Sequence, residues 1–514
     1  METFLYILIP NILIVIYLLK SALPASSDHF LHVSWVDRIK KGNHRFIMHK
    51  MFSLNEKYAW YPQLFHWFIS FLPARIYKEK HSYINVGIKI LEIIGFNVFL
   101  LFLYNRLHFD KQIILYANII VNIFPFSYAV WNAKNMGLSA RGIGLVLGQI
   151  YTYLIVAYII TDNLYLLIPL LAIVFIILLM SLITMQYVLF SLPFYVFFFR
   201  IPEIILLPFL SVAIFYLTMP QVAINNLVGQ FNHKRNYALF MASIFILRNR
   251  PSIYRDFVYD FWVKLRQKLT KGIFYMFFNP IVEIIYGLPF LWLVLYFGIQ
   301  KGYSSESEII YLAVISALGM FFLTSFSWTR FLGEPQRYLE FVIPCITILY
   351  VLNFGPIYHL ILVSSCILFT ISSSYILNKL KTEAPKMSNM KSFIDFIQKE
   401  EKFKGSICIT NDHGILKYFS NLGLEVLRPD FSVYFLNKEK YYVNYYKNNY
   451  YVLSPQLLKT YHETYRADLL VLNKELYTLD VLAQVVELEN ISLIQTFGNY
   501  ELYKLQSLPV EKVC

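Results

Sequence analysis

Residues 26–42, SSDHFLHVSWVDRIKKG, follow the first apolar run of the chain (3–19) and place Asp28, His29 and His32 where a hydrophobic helix has just ended. The rest of the chain makes that placement informative. Of 514 residues, 57% are hydrophobic, 18% aromatic and only 15% charged, and the mean hydropathy is +0.51. A soluble protein of this length needs far more polar surface to cover its core. Several uncharged runs reach the roughly 18–20 residues that cross a bilayer. The chain reads as an α-helical polytopic membrane protein.

Apolar runs lie near 3–19, 84–105, 112–131, 142–160, 164–180, 187–199, 203–219, 281–299, 309–327, 339–353 and 357–376, which predicts about eleven transmembrane helices. The first lacks a basic leader and SALPASS is a poor cleavage site, so it reads as a retained helix. Residues 21–83 and 220–279 form long polar loops within a membrane domain spanning 1–380. Residues 58–77, rich in Trp, Tyr and Phe and followed by Lys78 and Lys80, read as a helix lying in the membrane interface.

Beyond the linker NKLKTEAPKMSN the apolar runs stop, and 388–514 reads as a soluble α/β domain. GSICIT and DLLVLN are strand-like, SFIDFIQKEEKF and PQLLKTYHETY have helical spacing, and ISLIQTFGNYELYKL is a hairpin turning at Gly498-Asn499. No phosphate-cradling glycine pattern follows these strands, so no nucleotide is expected there.

Four scattered cysteines give neither a disulfide framework nor a CxxC metal site. The net charge of +13 suits Lys and Arg flanking lipid-facing helices and anionic lipid phosphates, not nucleic acid. A cytoplasmic N-terminus and eleven helices would put 21–83, NAKNMGLSARG, 220–279, TRFLGEPQR and the C-terminal domain together on the extracytoplasmic side of a plasma or inner membrane. The Lys/Arg count opposes that orientation: 21–83 and 220–279 carry nine each, the 106–111 turn two. Loops of about 60 residues translocate largely regardless of charge, and the extracytoplasmic placement is kept.

A hydrophobic first helix, an immediate acid, an amphipathic stretch ending in glycine, then WYPQLFHWF and a series of helices resembles the GT-C superfamily of integral-membrane glycosyltransferases. That superfamily includes oligosaccharyltransferases, protein O-mannosyltransferases and aminoarabinose transferases. Asp28 matches its essential acid near the end of helix one. WYPQLFHWF is similar to its Tyr-Pro-Pro-Leu-x-His-like segment, with Gln63 in place of the second proline. The resemblance implies a GT-C-like fold and transfer of a sugar from a polyprenyl-phosphate-linked donor to a glycan, lipid or protein acceptor.

The chemistry supports this independently. Attack by an acceptor hydroxyl needs a base, and a partly desolvated carboxylate at the membrane surface suits the role. Asp28 is the catalytic candidate, with His29 beside it. The competing reading is that Asp28 caps the following helix. His32, Tyr61 and His66 are candidates for substrate contact. Five of eleven histidines (29, 32, 44, 49 and 66) fall in this region, but their spacing is no recognised zinc signature. Oligosaccharyltransferases use a divalent cation bound by acids from more than one loop. NAKNMGLSARG has no acid, which favours a metal-independent enzyme without a cofactor, with a divalent metal the minor alternative.

A departing lipid phosphate calls for planar, bidentate guanidinium groups. SWTRFLGEPQRYLEF supplies Arg330 and Arg337 around Glu334, and SARG supplies Arg141. The alternative for Arg337 is an interfacial anchor or an ion pair with Glu334 or Glu340. Lys234 and Arg235 would steer an anionic head group, and Lys89 and Glu92 could pair within the second span. The rival function is a lipid-linked sugar flippase or transporter. Such proteins usually show internal repeats and mid-membrane ionisable groups, and neither stands out here.

Overall fold

A computed structural model of the chain describes residues 2–20, 27–49, 51, 58–123, 137–236, 262, 265–266, 280–326, 329, 332, 335–355, 364, 386–412, 424–426, 462, 466–476 and 491–505. Each apolar run from 3–19 to 339–353 is helical over most of its described residues. In chain order these are α1 (Glu2–Lys20), α2 (Ser27–Lys41), α3 (Leu64–Ser70), α4 (Ala74–Lys78), α5 (His81–Leu107), α6 (Lys111–Ile123), α7 (Ala140–Thr161), α8 (Leu167–Met180), α9 (Leu182–Phe199), α10 (Leu206–Thr218) and α11 (Pro220–Asn236). Then follow α12 (Pro280–Gly287), α13 (Pro289–Gln300), α14 (Ser305–Thr324), α15 (Arg337–Glu340), α16 (Ile343–Asn353) and α17 (Lys386–Lys399).

The expected count of eleven spans is not reached among the described residues. Four helices, α5, α7, α9 and α14, are long and apolar enough to cross a membrane, and the other apolar helices are shorter. Two expected spans are interrupted. The run 281–299 breaks at Leu288, just before Pro289 at the start of α13. The run 339–353 divides at the turn 341–342 that precedes Pro344. A proline lacks the N–H an internal helical position must donate, so helices begin at it. The expected interfacial helix 58–77 is likewise two short pieces, α3 and α4, separated at Pro73. Seven and five residues are too few to span.

The chain divides into two compact units: residues 1–24, 61–224 and 246–377 form one, and 25–60, 225–245 and 378–514 the other. In the first, α7 is the central helix and packs on α5, α8 and α9. Its sequence explains the close approach. Gly144 and Gly148 have the small-xxx-small spacing that lets membrane helices meet backbone to side chain. A Cβ on Gly144 would lie 2.6 Å from the Ser181 Cβ and 2.7 Å from the Thr184 Oγ1.

A second contact set joins α1, α5 and α6 through four buried asparagines. Asn118 Oδ1 accepts from Asn11 Nδ2 (2.8 Å) and Asn97 Nδ2 (3.0 Å), and Asn118 Nδ2 donates to Asn97 Oδ1 (2.9 Å). Asn122 Nδ2 donates to Asn11 Oδ1 (2.7 Å). Each asparagine also donates to the carbonyl four residues earlier.

The second unit gathers α2, most of α11 and the C-terminal segment, so parts of both long loops belong to one compact unit with the terminal domain. Arg38 of α2 and Glu425 are 3.4 Å apart, and Trp35 Nε1 donates to the Met51 carbonyl at 2.8 Å. Trp60 stacks on His233 of α11 with ring centroids 3.9 Å apart. Gly229 permits this approach, since a Cβ there would lie 2.7 Å from the Ala59 carbonyl oxygen.

The terminal sheet runs β2 (Glu425–Val426), β1 (Ile407–Thr410), β3 (Leu469–Asn473), β5 (Tyr500–Leu505), β4 (Ile491–Phe497) in spatial order. β1 is parallel to β2 and β3, whereas β3, β5 and β4 are antiparallel. The expected hairpin is present in register: Phe497 opposes Tyr500 across Gly498-Asn499, and Gly498 takes φ +59°. The expected helix PQLLKTYHETY (455–465) lies outside the described residues, His462 excepted.

Candidate functional site

Charge enters the first unit where α5, α7 and α15 meet. Ser139 caps α7: its backbone is extended (φ −157°) and its hydroxyl accepts the Arg141 amide at 3.1 Å. That cap sets Arg141 in the first turn. A guanidinium at the positive end of a helix dipole is electrostatically disfavoured unless an anion accompanies it. Glu340 supplies the anion, 3.6 Å from Arg141 Nη2, with side chains 8% and 19% exposed respectively.

Glu340 belongs to the buried segment 335–350. Single turns shape its start, with Tyr338 N donating to the Pro335 carbonyl (3.2 Å) and Leu339 N to that of Gln336 (3.1 Å). Arg337 opens α15 three residues before Glu340 and is half-buried. The hydroxyl of Tyr338 and Oε1 of Gln336 are buried without a hydrogen-bond partner among the described residues.

The pairing extends into α5. Lys89 Nζ lies 3.1 Å from Glu92 Oε2, both side chains mostly buried. Gln149 of α7 completes the link: its amide donates to Glu92 Oε1 at 3.3 Å and to the Glu340 backbone carbonyl at 3.5 Å. Two cations, two carboxylates and one amide thus connect α5, α7 and α15. Charge buried this way persists only when it is paired.

One glycine controls the geometry. A Cβ on Gly148 would lie 2.5 Å from Phe341 Cε1 and 3.0 Å from Thr184 Cγ2. Phe341 is itself held against Tyr187, with ring centroids 4.2 Å apart. The residue before Gln149 and the residue after Glu340 are therefore in direct contact, and this contact fixes the network.

The sequence candidates fall into three groups. Arg141 and Arg337 belong to the first unit, as do Tyr61 and His66. His66 is fully buried on α3, its ring edge-on to Tyr61 (5.7 Å) and Phe65 (5.5 Å). Asp28, His29 and His32 belong to the second unit, on α2. Asp28 lies in its first turn, where an acid suits the helix dipole, and its side chain lies outside the described residues. His29 and His32 are buried, His29 edge-on to Phe30 and His32 perpendicular to Trp35. Arg330 and Glu334 lie outside the described residues. Among the described residues, no three His, Cys, Asp or Glu side chains gather as a metal centre.

Two participants were not singled out from sequence as site residues. Glu340 figured only as a partner for Arg337, whereas its carboxylate meets Arg141. Gln149 carried one signal, a lone amide within the apolar stretch GLVLGQIYTYLIV. In the second unit, burial and then the Lys234 ammonium push the His233 imidazole down to about 3.

The terminal domain has its own polar cluster at the carboxyl ends of β1 and β3. Asn473 Nδ2 and Tyr500 Oη each donate to Asp412 Oδ2 at 2.8 Å, and Asn411 Nδ2 donates to the Asn473 carbonyl at 3.0 Å. These groups join the loops to one another.

No protein-family model matches the chain, and no curated protein matches it in sequence. Solved structures match over nearly its whole length. ArnT from Cupriavidus metallidurans, bound to undecaprenyl phosphate, superposes with a TM-score of 0.53 at 9% identity, over 98% of each chain. The archaeal oligosaccharyltransferase AglB from Archaeoglobus fulgidus, in complex with an inhibitory peptide and a dolichol-phosphate, gives 0.53 at 10% identity over 99% of this chain and 75% of that one. The apo form of the Archaeoglobus fulgidus oligosaccharyltransferase gives 0.54 at 10% identity, over 92% and 70%. Likeness at such low identity speaks to the fold, which this chain shares with these solved structures over nearly its whole length.

Proposed function

We propose that the chain is a GT-C-type membrane glycosyltransferase that moves a sugar from a polyprenyl-phosphate-linked donor to a glycan, lipid or protein acceptor. The observation that carries this reading is the whole-length fold likeness, 98% of this chain against 98% of ArnT. Because folds host many chemistries, the reading also leans on the site: a mostly buried guanidinium, Arg141, at the start of a capped apolar helix and a half-buried one, Arg337, at the start of α15.

In the proposed reaction the acceptor hydroxyl oxygen forms a bond to the anomeric carbon as the bond from that carbon to the phosphate oxygen breaks. The hydroxyl proton passes to Asp28, and the electron pair leaves with the lipid phosphate. Arg141 and Arg337 stabilise the charge that grows on that leaving group, while His29, His32, Tyr61 and His66 contribute to orienting donor and acceptor. Arg330 and Glu334 are assigned to the same donor side. The transfer is assigned no metal or cofactor, since the 132–142 stretch brings no acid to share one. The protein is placed in a plasma or inner membrane with the long loops and terminal domain extracytoplasmic.

Asp28→Asn tests the assignment. Purified variant in detergent, given a lipid-linked donor, should lose transfer by at least about a thousandfold while its thermal unfolding stays unchanged, in line with the loss of a general base. Full activity in that variant would remove Asp28 from the mechanism. Release of sugar by wild-type protein in detergent also separates catalysis from transport, which needs a sealed membrane to be scored.

A further inference from the structure

We infer that Glu340 is a built-in competitor for the lipid phosphate: its carboxylate occupies the Arg141 guanidinium in the resting enzyme and returns to it to help expel the polyprenyl phosphate product. The inference rests on the proposed assignment of Arg141 to the donor phosphate and adds a residue that the assignment does not contain.

Three observations carry it. Arg141 sits in the first turn of a capped helix, so its guanidinium and the helix end together favour an anion. Glu340 already provides one, as an almost fully buried carboxylate. The contact is loose: at 3.6 Å it is an ion pair beyond hydrogen-bonding distance. A phosphate presents several oxygens to the planar fork and forms shorter, charge-assisted bonds, so it can displace the carboxylate.

Displacement has a consequence specific to this geometry. The Glu340 backbone is held in place, because Gln149 donates to its carbonyl at 3.5 Å and Phe341 is wedged against Gly148 and Tyr187, so the carboxylate can move only within the reach of its own side chain. The carboxylate therefore stays near the bound phosphate, stripped of this cation, and repels it. A donor phosphodiester bears one negative charge, whereas the product monoester bears up to two, so the repulsion falls hardest on the product. Glu340 thus acts through Arg141 as a positioning residue and biases the site toward release.

The test uses the full-length protein in detergent and undecaprenyl phosphate as probe, with undecaprenol as the control lacking phosphate. Glu340→Gln keeps the side chain's shape and removes its charge. It should tighten undecaprenyl phosphate binding about tenfold, leave undecaprenol binding unchanged, and lower KM and kcat together as release slows. Glu340→Asp draws the carboxylate away from Arg141 and should tighten binding by a smaller factor, which keeps the idea testable if the glutamine variant folds poorly. The gain should vanish in an Arg141→Gln background. Unchanged or weaker phosphate affinity in both folded Glu340 variants would overturn the inference and leave the glycosyltransferase reading intact. Failure of wild-type protein to bind undecaprenyl phosphate would remove both.

Discussion

Replacing Gly148 with alanine adds one methyl group and should disable the site from a residue that touches no substrate. The added Cβ would stand 2.5 Å from Phe341 Cε1, against an ordinary carbon–carbon contact of about 3.5 Å, so something must move by about 1 Å. The Phe341 ring cannot simply retreat, being stacked on Tyr187 at 4.2 Å. Relief therefore comes from shifting the 340–341 backbone or separating α7 from it. Either movement stretches the Gln149–Glu340 hydrogen bond, already 3.5 Å, and the Arg141–Glu340 pair at 3.6 Å. Overpacking of this kind costs about 1–3 kcal/mol of stability, and a displacement near 1 Å in a positioning shell lowers turnover about a hundredfold. Thermal unfolding in detergent and transfer from a lipid-linked donor read the two effects separately. Phe341→Leu in the same background makes room for the methyl and should restore most of both. Wild-type melting and activity in Gly148→Ala would refute the claim that this contact sets the geometry of Glu340.

Two further perturbations test the supports around the site. Asn118→Leu removes the three side-chain hydrogen bonds that Asn118 makes with Asn11 and Asn97; at about 0.6 kcal/mol each within a membrane, the loss is about 2 kcal/mol, and a change under about 0.5 kcal/mol by detergent unfolding would rule out the asparagine set as a helix lock. His233 is held neutral in the folded state, so its contribution to stability is complete above the unfolded value of about 6.5 and falls by about 1.4 kcal/mol per pH unit as pH drops from there toward 3. Melting followed from pH 8 to pH 5 should fall more steeply in the wild type than in His233→Phe, which keeps the stack on Trp60 without a titrating group, and parallel curves would refute the shift.

The legible part of this chain is the part governed by local rules. Apolar runs predicted the helices, and Gly498-Asn499 predicted the turn of the terminal hairpin, across which Phe497 pairs with Tyr500. Lys89 and Glu92, three residues apart, were readable as a pair because helical geometry alone brings them together. The Arg141–Glu340 pair was not, since nothing local joins the start of α7 to a turn so far along the chain. From sequence, Glu340 was readable only as one alternative partner for Arg337, three residues before it. The expected helix over 58–77 underweighted Pro73, which lies between the end of α3 at Ser70 and the start of α4 at Ala74. The asparagines showed the opposite failure: each was visible as an isolated amide in an apolar run, but only the packing of α1, α5 and α6 reveals that they bond to one another.

The arrangement of charge in the helix unit also restricts what can bind there. Lys89 with Glu92 and Arg141 with Glu340 are opposite charges bridged by Gln149. Adding a neutral sugar to such a set changes little electrostatically, because every formal charge already has a counterpart. Adding an anion without freeing a cation would place a third negative group beside Glu92 and Glu340, which low-dielectric surroundings penalise heavily. An anionic ligand that uses Arg141 therefore enters by exchange, taking it from its carboxylate. Exchange is favourable for a phosphate, whose oxygens match the guanidinium fork, and unfavourable for a lone carboxylate, which gains nothing over the one it replaces. Under the proposed function, a network that looks purely structural would thus discriminate by its neutrality, exchanging its own Arg141–Glu340 pairing for a phosphorylated lipid and restoring that pairing when the lipid departs.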